Sequence, residues 1–93
     1  MNIEKSADYD IQLDRAAEKD LDRLPRDAWI VIDARISQLG RTPRPNGAIK
    51  LKDDIYRIRV GDYRIIYIIM DKEKRIVISR VKTRNEKTYK DLY

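Results

Sequence analysis

The chain contains no cysteine and no histidine. Without cysteine there is no disulfide framework and no thiolate nucleophile. Without histidine, the commonest general base and the commonest metal ligand are both missing. No segment has the apolar h-region of a secretory signal, and no apolar run is long enough to span a bilayer, so the chain reads as a soluble cytoplasmic protein. Glycine and proline are scarce, with three of each.

Charge, by contrast, is abundant. Lys, Arg, Asp and Glu make up 40% of the 93 residues, against about a quarter in an average domain. The net charge is +5, unevenly spread. Residues 1–40 hold six Lys/Arg against nine Asp/Glu, a net of −3, whereas residues 41–93 hold fifteen against seven, a net of +8. A half-chain this basic is the electrostatic footprint of a protein that meets a polyanion. A solubilising surface would carry the same excess. The length fits a single domain, residues 1–93, with one modest core. Residues 1–7 are polar and read as a flexible extension.

Tyr9, Ile11 and Leu13 alternate with polar residues, the pattern of a half-buried strand. Asp14 is placed to cap a helix in which Ala17, Leu21 and Leu24 recur at helical spacing. Pro25 ends that helix and opens a second, striped by Ala28, Ile32, Ile36 and Leu39 and closed by Gly40. Two short helices so tightly joined form a hairpin that must bury its stripes against a sheet. Residues 41–47 form a loop. Strands follow over 55–60, 63–70 and 75–81. The segment 65–70 is nearly all apolar, as a strand covered on both faces should be. The tail, residues 85–93, reads as a short helix.

The densest chemical signal is Tyr56-Arg57-Ile58-Arg59-Val60-Gly61-Asp62-Tyr63-Arg64-Ile65-Ile66-Tyr67. Two strands meet at a Gly61-Asp62 turn suited to a two-residue hairpin. Arg57 and Arg59 share a face, and the turn brings Arg64 close to Arg59 if their faces match. Like charges side by side on a sheet repel unless an anion or a carboxylate offsets them. Guanidinium grips phosphate in a bidentate fork, so phosphate is one such anion; Asp53, Asp54 or the acidic first helix would also serve. Arg80, Lys82 and Arg84 add a second cationic row, with Tyr89 and Tyr93 following. Cations beside aromatic rings suit unstacked RNA bases, while a tail tyrosine also serves simply as an anchor.

Ala17-Glu18-Lys19-Asp20-Leu21-Asp22-Arg23-Leu24-Pro25, Leu51-Lys52 and the 56–67 hairpin together resemble the RelE toxins of the RelE/ParE superfamily, over residues 9–89. The resemblance implies an α+β fold: an N-terminal strand, a helical hairpin on a four-stranded, mainly antiparallel twisted sheet, and a short C-terminal helix. It also implies the toxin of a type II toxin–antitoxin pair, with an acidic RelB-like antitoxin as partner in a hetero-oligomer. RelE-type members cut messenger RNA in the ribosomal A site with no metal or cofactor. Their basic site maps onto Arg57, Arg59, Arg64, Arg84 and Tyr89. Arginines stand at the first two positions where a well-studied RelE type has lysines, and Thr83-Arg84 stands where many relatives have His-Arg. Lys50, Lys52, Arg80, Lys82 and Lys87 are the expected contacts to RNA backbone. The alternatives are a ParE-like toxin that inhibits DNA gyrase without cutting RNA, and an inactive partner that only binds antitoxin.

RNA cleavage by its own 2′-hydroxyl needs a proton acceptor, charge stabilisation at the phosphorus, and a proton for the leaving 5′-oxygen. Arginine supplies the second well but is a poor acid or base, its pKa lying far from neutrality. With no histidine, the chemistry calls on the ribosome to orient the RNA. Such positioning is worth roughly 7–11 kcal/mol in favourable cases.

Overall fold

The computed structural model describes residues 8–83. Strand β1 (Asp10–Leu13) leads into helix α1 (Arg15–Asp22) and helix α2 (Arg26–Leu39). Strands β2 (Ile49–Lys52), β3 (Ile55–Val60), β4 (Tyr63–Met70) and β5 (Arg75–Thr83) follow. They form one five-stranded sheet in the order β1-β5-β4-β3-β2, antiparallel except that β1 runs parallel to β5. The sheet thus has one strand more than the sequence pattern indicated. Strand β2 is a four-residue edge strand broken by a register shift between Lys50 and Lys52, too short and too polar for its alternation to stand out. The expected extension at residues 1–7 and the expected helix in the tail lie outside the described residues.

The all-apolar segment does become the middle strand, β4. Ile65, Tyr67 and Ile69 join Ile58, Ile76, Ile78 and Val81 on one face, which the helices cover with Ala17, Leu21, Ile32, Ile36 and Leu39. Asp14 stands at the N-cap of α1 without a side-chain cap bond, and Pro25 occupies the N-cap of α2. Gly40 closes α2 for a different reason than a left-handed turn. Its backbone stays helical (φ −61°), but the Tyr9 amide donates to its carbonyl at 2.8 Å. A Cβ there would lie 3.0 Å from the Tyr9 carbonyl oxygen. Gly61, in contrast, takes φ +60° in the β3–β4 turn, where glycine avoids the strain of a side chain.

The 41–47 loop is tied to the sheet by aromatic and ionic contacts. The fully buried Tyr67 hydroxyl donates to the Pro43 carbonyl at 2.7 Å. Burial, with a smaller contribution from Tyr56, pushes this phenol up to about 12, against the opposing pull of Arg44 and Arg35. Arg44 donates to the Tyr56 hydroxyl and pairs with Asp71, which also accepts from Tyr9 at 2.6 Å. The Arg44–Asp71 pair is largely exposed, so alone it adds little, about 0–1 kcal/mol. Tyr67→Phe is expected to destabilise the protein by about 1 kcal/mol, the net worth of one such hydrogen bond, as a thermal or urea unfolding curve would read.

Candidate functional site: an arginine face on the sheet

Strand alternation and ladder register decide where the arginines lie. Residues directly opposite across a ladder share a face. Arg59 pairs with Arg64, and Arg64 pairs in turn with Lys82, so three cations occupy one rung across β3, β4 and β5. In the next rung Arg57 and Arg80 flank Ile66. Ile66 is 1% exposed yet stands apart from the helix-side core; it is the floor of this second face. Arg59 is exposed, and Arg57 and Arg64 are half-buried. The expected clustering of Arg57, Arg59 and Arg64 is therefore what the register produces, with Arg59 and Arg64 as direct neighbours.

Side by side, the two guanidinium groups repel each other. Directly opposed like charges on a sheet are destabilising, and favourable cross-strand pairs contribute about 0.2–1 kcal/mol. Arg59→Thr, which removes one of the two charges at an exposed strand position, is accordingly expected to raise the unfolding midpoint. A lowered midpoint would mean that Arg59 is held by a compensating contact.

The other expected site residues divide. A bulge places Ser79 out of register between Ile78 and Arg80, and beyond it Arg80 and Lys82 face the arginines. Both, however, are engaged by Asp20 of α1. Arg80 donates from Nε to Oδ2 at 2.9 Å and from Nη2 to Oδ1 at 3.2 Å, and the Lys82 Nζ lies 3.8 Å from Oδ1. The Val81 amide donates to the same carboxylate at 2.9 Å. Asp20 is 6% and Lys82 8% exposed. Burial pushes the Asp20 carboxyl up. The bonds from Arg80 and Val81 and the charges of Arg80 and Lys82 outweigh it, holding the pKa below the ordinary carboxylate value. Arg80 and Lys82 thus have an internal anion that the RNA-backbone expectation did not include. Lys52 pairs with Ile55 on the arginine face, whereas Lys50 pairs with Tyr56 and leaves from the opposite, helix-side face. Arg84, Lys87 and Tyr89 lie outside the described residues.

Charge patterning offered the acidic first helix as a partner for the hairpin arginines but did not single out Asp20 or join it to Arg80 and Lys82. The signal of Asp20 was present: it falls on the buried stripe with Ala17, Leu21 and Leu24, where a carboxylate needs a partner. A hollow of about 340 Å³ lined by Arg35, Leu39, Arg41 and Pro45 among others lies between the C-terminal end of α2 and the loop rather than over the hairpin arginines. Among the described residues no group of acidic side chains is arranged to hold a metal ion. No helix there is long and apolar enough to cross a membrane.

A two-helix layer on a mainly antiparallel sheet, with cations concentrated on the face opposite the helices, is the architecture of a RelE/ParE-type toxin. The sequence model of the family described as the ParE toxin of type II toxin–antitoxin system, parDE, matches residues 11–88, and the chain belongs to that family. A curated relative, the putative toxin RelE1 of Methanocaldococcus jannaschii, is 28% identical over 88 residues, covering 89% of this chain and 97% of the relative. Among solved structures, the toxin–antitoxin complex RelBE2 from Mycobacterium tuberculosis matches with a TM-score of 0.76 at 26% identity, covering 89% of this chain and 99% of the matched chain. The archaeal RelE–RelB complex from Pyrococcus horikoshii matches with a TM-score of 0.73 at 28% identity, covering 84% and 97%. The chain is thus similar to RelE toxins over most of its length.

Proposed function

We propose that this toxin is a RelE-type endoribonuclease that cuts messenger RNA in the ribosomal A site through attack of the RNA's own 2′-hydroxyl. The observation that carries the reading is the Arg59–Arg64 rung with Arg57 beside it. Three arginines on one face are a poor choice for stability and a good one for phosphate.

In this mechanism the 2′-oxygen forms a bond to phosphorus as the bond to the 5′-oxygen breaks. Negative charge grows on the non-bridging oxygens, and Arg64, on the middle strand, stabilises it with donors held in a fixed fork. Arg57 and Arg59 hold the phosphate and favour the ionised 2′-oxygen. Arg84 is assigned to the leaving oxygen and Tyr89 to a base, both on the family resemblance. The arginines do not transfer protons at neutral pH, so the ribosome aligns the RNA and completes the proton path. Lys52 binds backbone beside this face. Lys50 and Lys87 are assigned to ribosomal RNA as well, and Lys50 would reach it from the helix side.

The partner is a RelB-like acidic antitoxin in a cytoplasmic hetero-oligomer. Its acidity complements the basic face. Trp29, Ile30 and Val31, 41%, 51% and 52% exposed on α2, offer an apolar landing for an amphipathic segment.

The test is a translation extract with defined mRNA. Purified toxin should yield transcripts ending at A-site codons, and intact mRNA would overturn the reading. The match to a ParE family model favours one competitor, a gyrase poison. That reading predicts intact mRNA together with loss of DNA supercoiling by gyrase.

A further inference from the structure

We propose that the hollow between the C-terminal end of α2 and the 41–47 loop is a second nucleotide site. It takes an unstacked RNA nucleotide, with the phosphate on Arg35 and Arg41 and the base in the hollow. Its role in anchoring the toxin on structured RNA rests on the RNA-cleaving reading above; its chemistry does not.

The hollow measures about 340 Å³, within the roughly 300–1,000 Å³ of small-ligand sites. Its lining falls into three groups. Arg35 and Arg41 supply positive charge, Gln38 and Asn46 supply amide donors and acceptors, and Leu39 and Pro45 supply an apolar floor. Among the described residues no acidic side chain lines it. The side chains of Arg35, Gln38, Arg41 and Asn46 make no hydrogen bond or ion pair among the described residues. That set matches a nucleotide part by part. Guanidinium grips phosphate, amides read the edge of an unstacked base, and apolar surface takes its flat face. A bare anion would use neither the amides nor the floor, and an apolar side chain would use neither arginine.

An anion beside a helix C-terminus meets the negative end of the macrodipole. At the end of α2 that field is blunted by bonds the helix already makes. The Gly40 amide donates to the Ser37 carbonyl, the Arg41 and Thr42 amides to that of Gln38, and the Tyr9 amide to that of Gly40. The outer wall is braced as well. The Tyr67 hydroxyl holds Pro43, Arg44 is fixed by Tyr56 and Asp71, and the Ala48 amide closes onto the Pro45 carbonyl at 3.0 Å. Arg44 is thus committed to the wall, while Arg35 and Arg41 are left for a ligand. A hollow held open in this way needs little ordering before it binds.

Lys50, which pairs with Tyr56 on the helix side, extends the positive surface beside this wall. The sheet lies between the hollow and the rung of Arg59 and Arg64. A nucleotide in the hollow is therefore not the one that is cut. The toxin grips two RNA segments, the message on one face and a base splayed from an RNA loop on the other.

The test is titration of isotope-labelled toxin with the four nucleoside 5′-monophosphates and with inorganic phosphate alone, followed by NMR. The side-chain amides of Gln38 and Asn46 report the hollow separately from the arginine face. The expected result is saturable shifts at both amides, with phosphate alone binding about tenfold more weakly. Arg41 is exposed, so Arg41→Gln should fold, and it should weaken the nucleotide by roughly tenfold, the worth of one charged hydrogen bond. On ribosomes, Arg35→Gln/Arg41→Gln should raise the toxin concentration for half-maximal cleavage and leave the saturated single-turnover rate unchanged.

Equal binding of phosphate and nucleotide would make the hollow a plain anion patch and overturn the proposal. So would shifts confined to the arginine face, or an unchanged affinity in Arg41→Gln. Shifts at these amides with an acidic antitoxin and none with nucleotides would make it a protein contact instead. Tight mononucleotide binding beside an unchanged ribosome titration in the double variant would mark a free nucleotide as the ligand and overturn the RNA assignment. If the wild type leaves mRNA intact, the cleavage reading falls, and the NMR titration still decides the site.

Discussion

Arg64→Ala is expected to slow cleavage of ribosome-bound mRNA by roughly 100- to 1,000-fold, the usual effect of removing one preorganised donor from a developing oxyanion. Arg64 is singled out by its place. It lies on the middle strand of the sheet, in one rung with Arg59 on one side and Lys82 on the other. Backbone pairing on both flanks fixes its Cα, and its neighbours fix the sign of the local field. Arg57 and Arg59 stand on β3, one strand nearer the edge, and Arg59 is exposed. Their replacement should weaken RNA binding more than it slows the bound reaction. The measurement is single-turnover cleavage at saturating toxin, which separates the chemical step from ribosome binding. Arg41→Ala, on the helix side beside the large hollow, should leave that rate unchanged. Wild-type cleavage by Arg64→Ala would remove the charge-stabilising role assigned here.

Asp20→Ala is expected to be strongly destabilising, costing about 3–5 kcal/mol, because it removes a buried carboxylate from half-buried Arg80, buried Lys82 and a backbone amide. Small domains have about 5–15 kcal/mol in total. At about 4–8 °C per kcal/mol for a chain of this size, the melting temperature should fall by more than roughly 12 °C. The ionised carboxylate also sets a pH dependence. Its pKa is lowered in the folded protein, from an unfolded value of about 3.9. Its contribution to stability is therefore fully present above that value and is lost as the pH falls through the folded pKa. Urea unfolding of the wild type below about pH 4 should weaken more steeply than that of the triple variant Asp20→Asn/Arg80→Gln/Lys82→Gln, in which the cluster is neutral. Equal acid sensitivity would show that other carboxylates govern the transition.

Much of the fold was legible in the chain. The Tyr9, Ile11, Leu13 alternation, the two helical stripes split at Pro25, and the Gly61-Asp62 turn are local patterns, and each became the element it described. The all-apolar run became the middle strand because only a strand covered on both sides tolerates it. Strand β2 was not legible, since four residues of alternating Ile/Leu and Lys at an edge carry almost no signal of their own. The face of Lys50 was not legible for the same reason: without the strand there is no face to assign.

The site divides along the same line. Sequence placed three arginines on a hairpin and identified what they lack, a group to move a proton, because side-chain chemistry and a two-residue turn are local facts. It set Arg80 and Lys82 beside them as contacts to RNA backbone. Only the tertiary structure brought a carboxylate from 60 residues away to those two, at the end of β5. That meeting follows from where β1 stops pairing and α1 begins, and no spacing in the sequence expresses it. The chain by itself determined which charges it carries and in what rows; packing a helix against a strand end decided that Arg80 and Lys82 share the Asp20 carboxylate.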